Sequence, residues 1–170
     1  EYRECEIKMR VLAQARPTFD LLESLLWTPD EGYFLSDRHQ QRLTDSAEYF
    51  DFEFSQTKME MHLTELAKGF SSPQRVRILA SRSGEIHSEA NEFQSQGKPF
   101  KVCLSDTPVD SSNNFLFHKT TKRDLYPAKQ GYDDILLFNE RDELTEFAIG
   151  NLVVEMDGEL FTPPISCGLL

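Results

Sequence analysis

Residues 105–114, SDTPVDSSNN, are polar and turn-forming, and they split the chain into two differently patterned parts. Such a stretch reads as a linker between two lobes. With 170 residues, the whole is long enough to bury a core. Upstream, Ile7, Val11 and Leu12 recur at helical spacing over residues 1–16, and Arg16-Pro17 ends that pattern. Residues 19–27 (FDLLESLLW) are apolar enough for strand or helix. Pro17 before them and Pro29-Asp30-Glu31-Gly32 after them point to a hairpin with residues 33–35.

Ser36 or Asp37 can cap a helix that runs to about Phe50, with Asp37 and Gln40 as a capping box. Its inward face reads His39, Arg42, Leu43, Ser46, Ala47, Phe50. A second helix fits residues 57–68, closed by Gly69. Strands are expected at 74–79, 85–89 and 100–104. Beyond the linker, a helix is expected near 121–129 and strands at 135–139, 144–148 and 152–156. Asp157-Gly158 marks a hairpin turn into residues 160–162. The fold class is therefore α+β or mixed α/β.

Charge and motifs exclude several functions. Eighteen Lys+Arg against 29 Asp+Glu leave −11, the wrong sign for a nonspecific nucleic-acid binder or an acidic membrane surface. No run approaches the roughly 18 apolar residues of a membrane span, and the charged start lacks a signal-peptide core. Cys5, Cys103 and Cys167 are odd in number and widely spaced, so neither a disulfide framework nor a zinc knuckle is supported. A reducing cytoplasm is the simplest home. The four histidines lack metal-ligand spacing, and GxSxG, P-loop and GxGxxG motifs are absent.

Four residues stand out. Arg42 lies on an apolar helical face, where it either snorkels with an exposed head or meets an anion. Lys119 follows an apolar approach, Phe115-Leu116-Phe117-His118, and has Lys122 and Arg123 close by. It is either the edge of a strand or a desolvated amine with the lowered pKa a Schiff base needs. Glu146 sits in an otherwise neutral strand and either faces solvent or faces inward, where it needs a cationic or protonated partner. Asn151, ahead of Leu152-Val153-Val154, is a turn residue or a ligand contact.

These residues lie within an ordered set of stretches: FDLLESLLW (19–27), RHQQRLTDSAEYFDF (38–52), FHKTTKRDLY (117–126), DDILLFNERDELTEFAIGNLVV (133–154) and LFTPPISCGLL (160–170). With them the chain resembles the fold-type IV, or class IV aminotransferase, group of pyridoxal-phosphate enzymes. Within that group it looks most like the 4-amino-4-deoxychorismate lyases. The resemblance implies a two-lobed, D-amino acid aminotransferase-like α/β fold with the cofactor between the lobes. The lobes would be a junction helix at 1–18, a small α/β lobe at 19–110, and the first part of a large cofactor-binding lobe at 111–170. Relatives continue past this point with a phosphate-binding turn, so the large lobe is expected to be incomplete and cofactor binding by this chain weak.

The same resemblance gives roles to the anomalies. Lys119 matches the lysine that holds pyridoxal phosphate covalently, and it would also be the catalytic base. Arg42, in HxxRL, matches the arginine on the cofactor phosphate. Glu146 matches the carboxylate facing the pyridine nitrogen, and Asn151 a nearby cofactor contact. The implied reaction converts aminodeoxychorismate to 4-aminobenzoate and pyruvate, a step of folate biosynthesis. Where relatives usually carry an arginine in the LLE(S/T)xxW stretch this chain has Leu26, which bears on substrate carboxylate recognition. Residues 1–15 look like the junction behind a fused aminodeoxychorismate synthase component, and the family implies a homodimer. Two other readings stand beside the lyase. One is a branched-chain or D-amino acid aminotransferase of the same fold. The other is a non-catalytic truncated module, against which the joint retention of Lys119, Arg42 and Glu146 argues.

Overall fold

The computed structural model describes residues 18–95 and 97–170. The helix expected over 1–16 lies outside the described residues.

The first layer is a four-stranded sheet in the order β2-β1-β3-β4. Strand β1 spans Leu21–Thr28 and turns into the short β2, Gly32–Tyr33, so the hairpin expected at 19–35 forms. Strands β3 (Gln74–Ala80) and β4 (Ile86–Glu92) complete an antiparallel sheet. Side chains alternate across a strand. The row Leu21, Leu25 of β1 therefore meets Val76, Ile78 and Ala80 of β3 on one face. Two helices cover that face: α1 (Ser36–Phe50) with Leu43 and Ala47, and α2 (Gln56–Ala67) with Met59 and Leu63.

Helix α1 starts differently from expectation. The residue before it, Leu35, takes the left-handed region (φ 51) with no side-chain cap. Gln40 is turned inward and donates to Ser36 Oγ at 3.0 Å, so Asp37 and Gln40 do not form a capping box. Helix α2 is capped by Ser55, whose Oγ accepts from the Lys58 N–H.

The second layer is a three-stranded sheet, β5 (Val102–Leu104) parallel to β6 (Asp134–Phe138), which is antiparallel to β7 (Leu144–Phe147). Hairpin β8 (Val154–Met156) to β9 (Glu159–Phe161) turns at Asp157 and Gly158, both at positive φ. The changeover between layers falls between Glu92 and Val102, ahead of the 105–114 segment. Part of that segment runs along β6. Ser105 and Val109 donate backbone bonds to Leu136 and Phe138, and Val109 packs with Leu116, Ile135 and Leu137.

No helix forms near 121–129. Only a turn from Arg123 to Tyr126 is present there. Pro127 disfavours helical backbone in the residue before it, and the Arg123 guanidinium is held by the Ala148 carbonyl.

An aromatic cluster joins the layers. The Phe19 ring lies 5.0 Å from Phe50 and 5.3 Å from Phe115, centre to centre.

Candidate active site

A cleft of about 490 Å³ opens between the two layers. It brings together Arg42, Lys119, Glu146 and Asn151, with Arg38 and Arg123 also on its walls. In a chain of net charge −11 this wall is rich in cations.

Lys119 belongs to a strip that docks on β1. The Leu22 N–H donates to the Lys119 carbonyl at 2.9 Å, Thr120 bridges Leu21, and Thr121 exchanges bonds with Asp20. These bonds fix the backbone and leave the amine to the cleft. Among the described residues, no hydrogen bond or ion pair holds the Lys119 ammonium. Burial pushes its pKa below the ordinary lysine value. Glu23 opposes that shift and the charges of Arg42 and Arg123 add to it; Glu146 opposes it weakly.

Arg42 is held from behind by a residue that sequence reasoning missed. Glu23 is completely buried, and its carboxylate takes two bonds from the guanidinium, Nε to Oε1 and Nη2 to Oε2, each 2.6 Å. The His39 Nδ1 lies 2.7 Å from the same Oε2. Burial pushes the Glu23 carboxyl up, but the His39 and Arg42 hydrogen bonds and the Arg42 charge outweigh it and leave it below the usual range. The signal was in the strand period: Glu23 is in phase with Leu21 and Leu25, the row that meets the helices. An inward carboxylate there requires a cation on the facing helix.

Glu146 is buried, which settles its orientation inward. It accepts from the Tyr126 hydroxyl at 3.2 Å and from the Leu170 N–H at 3.3 Å. Burial raises its pKa, against the lowering effect of those two bonds and of Lys119 and Arg123. The Arg123 guanidinium lies 4.0 Å from the Tyr126 ring centre. Asn151 is exposed on the cleft wall. His118 also lines the cleft; its Nδ1 lies 2.9 Å from the Ser46 Oγ and its ring stacks on Tyr49. Among the described residues no three His, Cys, Asp or Glu side chains gather as metal ligands.

These groups fit pyridoxal phosphate. A lysine amine of lowered pKa, unpartnered among the described residues, suits its aldehyde, and a buried carboxylate suits its ring nitrogen. Arg42 keeps Nη1 free of bonds among the described residues, which leaves one edge for a phosphoryl group.

The family model for amino-transferase class IV matches residues 20–170. A protein from Schizosaccharomyces pombe that carries the name aminodeoxychorismate lyase is 27% identical over 162 residues, covering 89% of this chain and 69% of its own. A solved structure from Mesorhizobium loti, titled as an amino-acid aminotransferase, is 32% identical with a TM-score of 0.81, over 89% of this chain and 77% of that one. The branched-chain amino acid aminotransferase of Thermobaculum terrenum, solved in its PLP form, shares the fold at 18% identity and a TM-score of 0.70, covering 89% and 60%. With the family model spanning nearly the whole described chain, and the fold and cleft in accord with it, this protein belongs to the amino-transferase class IV family.

Proposed function

We propose that this chain is a pyridoxal-phosphate-dependent lyase that converts 4-amino-4-deoxychorismate to 4-aminobenzoate and pyruvate. One observation carries the reading: a desolvated lysine amine, without a partner among the described residues, shares a cleft with a buried carboxylate and an anchored arginine. The similarity to a lyase-named relative and the FDLLESLLW stretch support the choice of reaction.

Bound there, pyridoxal phosphate supplies an electron sink for a carbanion next to the substrate nitrogen. Lys119 both holds the cofactor and serves as base. Its neutral amine takes the proton from the carbon bearing the substrate amine. The bond from the neighbouring carbon to the enolpyruvyl oxygen then breaks, its electron pair leaving on oxygen. Enolpyruvate takes up a proton at carbon to become pyruvate, while the ring left behind becomes aromatic. Glu146, its Oε1 oriented by the Tyr126 hydroxyl, would hold a proton on the cofactor's ring nitrogen. Arg42 anchors the phosphoryl end, and Asn151 helps position the ring. Arg38 and Arg123 give the cleft the positive charge that a dicarboxylate substrate needs.

An aminotransferase of branched-chain or D-amino acids uses the same residues, and the 32% identity to an aminotransferase-titled structure favours it as the second reading. Pyruvate release from aminodeoxychorismate, measured beside 2-oxoglutarate-dependent transamination, separates the two. Lys119→Ala is expected to abolish both the visible absorption band formed with pyridoxal phosphate and the pyruvate release. A band that survives the substitution sinks the proposal. The reading also carries a homodimer in the cytoplasm, associated with an aminodeoxychorismate synthase component; sedimentation velocity tests the dimer.

A further inference from the structure

We propose that Glu23 is the positioning residue of the anion site, fixing Arg42 so that its guanidinium meets a phosphoryl group with one edge only. The inference rests on the reading of Arg42 as phosphoryl anchor and adds a residue to it.

Glu23 lies in the core row of β1, between Leu21 and Leu25 and opposite Ile78 of β3. Nothing in the core needs a carboxylate there. A leucine would pack with its neighbours at lower desolvation cost. What the carboxylate does is reach across to α1. It takes the Nε and Nη2 donors of Arg42 in a two-point contact and receives His39, one turn earlier on the same helix, on Oε2. A bidentate contact of this kind fixes the plane of the guanidinium as well as its place. Arg42 is about a third exposed and lines the cleft, so its unbonded Nη1 is the edge left for a ligand.

Two consequences follow. Arg42 reaches the cleft already oriented, so little side-chain entropy is lost when an anion binds. Its charge is also largely balanced by Glu23, so the arginine selects an anion by geometry more than by net charge. A free lysine at position 42 would do the reverse. The pair therefore favours a phosphoryl group held in place by contacts elsewhere on the same molecule over a small free anion.

The test compares binding of pyridoxal phosphate, pyridoxal and inorganic phosphate to the 170-residue chain and to Glu23→Gln, Glu23→Asp and Arg42→Ala. Glu23→Gln is expected to weaken pyridoxal phosphate about tenfold, the scale of a lost charge-assisted hydrogen bond, while pyridoxal changes less than twofold. Glu23→Asp, which keeps the charge, is expected to recover part of the loss. Unchanged or tighter pyridoxal phosphate binding by Glu23→Gln overturns the proposal, since it would make Glu23 only a counter-charge. An equal loss for pyridoxal overturns it too, by showing a general structural role. If Arg42→Ala binds pyridoxal phosphate as wild type does, the anchor reading itself fails, a different result from failure of Glu23→Gln alone. Should Glu23→Gln not fold, the Arg42 Nε–H of the wild type decides by NMR, identified by its loss in Arg42→Ala. The proposal requires that proton to be shifted downfield and slow to exchange, and a fast-exchanging one overturns it.

Discussion

The two layers hold their share of the site in different ways. The first layer has a continuous core: β1 and β3 face α1 and α2, and Leu21, Met59, Val76 and Ile78 are fully buried. Its contribution, Glu23 with Arg42 and His39, is fixed by packing on a rigid helix and strand. The second layer has a small cluster around Leu137 and leaves Val102 and Leu104 exposed, and the separate β8–β9 hairpin leaves Met156 and Leu160 exposed. Its contribution, Glu146, is held by a tyrosine hydroxyl and one backbone N–H. On the proposed reading, the anchor for an anion is built into the best-packed part of the chain, and the carboxylate proposed to face the ring into the less packed part. Binding and chemistry can then be altered separately.

Substitutions can break that contrast. Ile78→Ala should destabilise the chain by about 2–5 kcal/mol in urea unfolding, because it opens a cavity in the closed core. Glu146→Gln should lower kcat by about 10- to 100-fold, the worth of a charged hydrogen bond, with pyridoxal phosphate affinity changing less. An equal loss in both would mean that the second layer also anchors.

Proton linkage gives a smaller, signed test. The folded pKa of Glu23 is lowered, so between it and the usual carboxylate value the unfolded chain binds more protons. Stability held through Glu23 is present above that window and is lost as pH falls through it. The folded pKa of Glu146 is raised, so its contribution runs the other way. It grows as pH falls through the raised value toward the usual one. Unfolding measured against pH should lose the first slope in Glu23→Gln and the second in Glu146→Gln. Smallest of all, Leu160→Ala on the exposed hairpin should stay within about 0.5 kcal/mol of wild type.

Much of this architecture was legible because periodicity and punctuation agreed. Residues 19–27, bounded by proline and a Pro-Asp-Glu-Gly turn, hold most of β1 (Leu21–Thr28), and the apolar spacing of 36–50 became α1. Asp157-Gly158 made its hairpin. The misses had local causes. Residues 121–129 lack the helix because Pro127 and the Arg123–Ala148 bond compete with it. Residues 105–109 look like linker by composition, yet their backbone continues along β6, which side-chain polarity does not report. At the site, Lys119, Arg42 and Glu146 were each visible as polar residues in apolar company. Glu23 was passed over because LLESLLW reads as an apolar run. Only its register with Leu21 and Leu25 shows that the carboxylate points to the core.

The strip carrying Lys119 follows the second layer's Leu116 in sequence, yet its backbone bonds go to Asp20, Leu21 and Leu22 of the first. As a mechanical part, the lysine therefore travels with the sheet on which the Arg42 helix packs. Were the two layers to swing apart, the span from Lys119 to Arg42 would be conserved and the span from Lys119 to Glu146 would open. On the proposed reading, a breathing motion of the cleft would throttle the contact of Glu146 with the ring nitrogen while the end proposed to sit on Arg42 kept its grip.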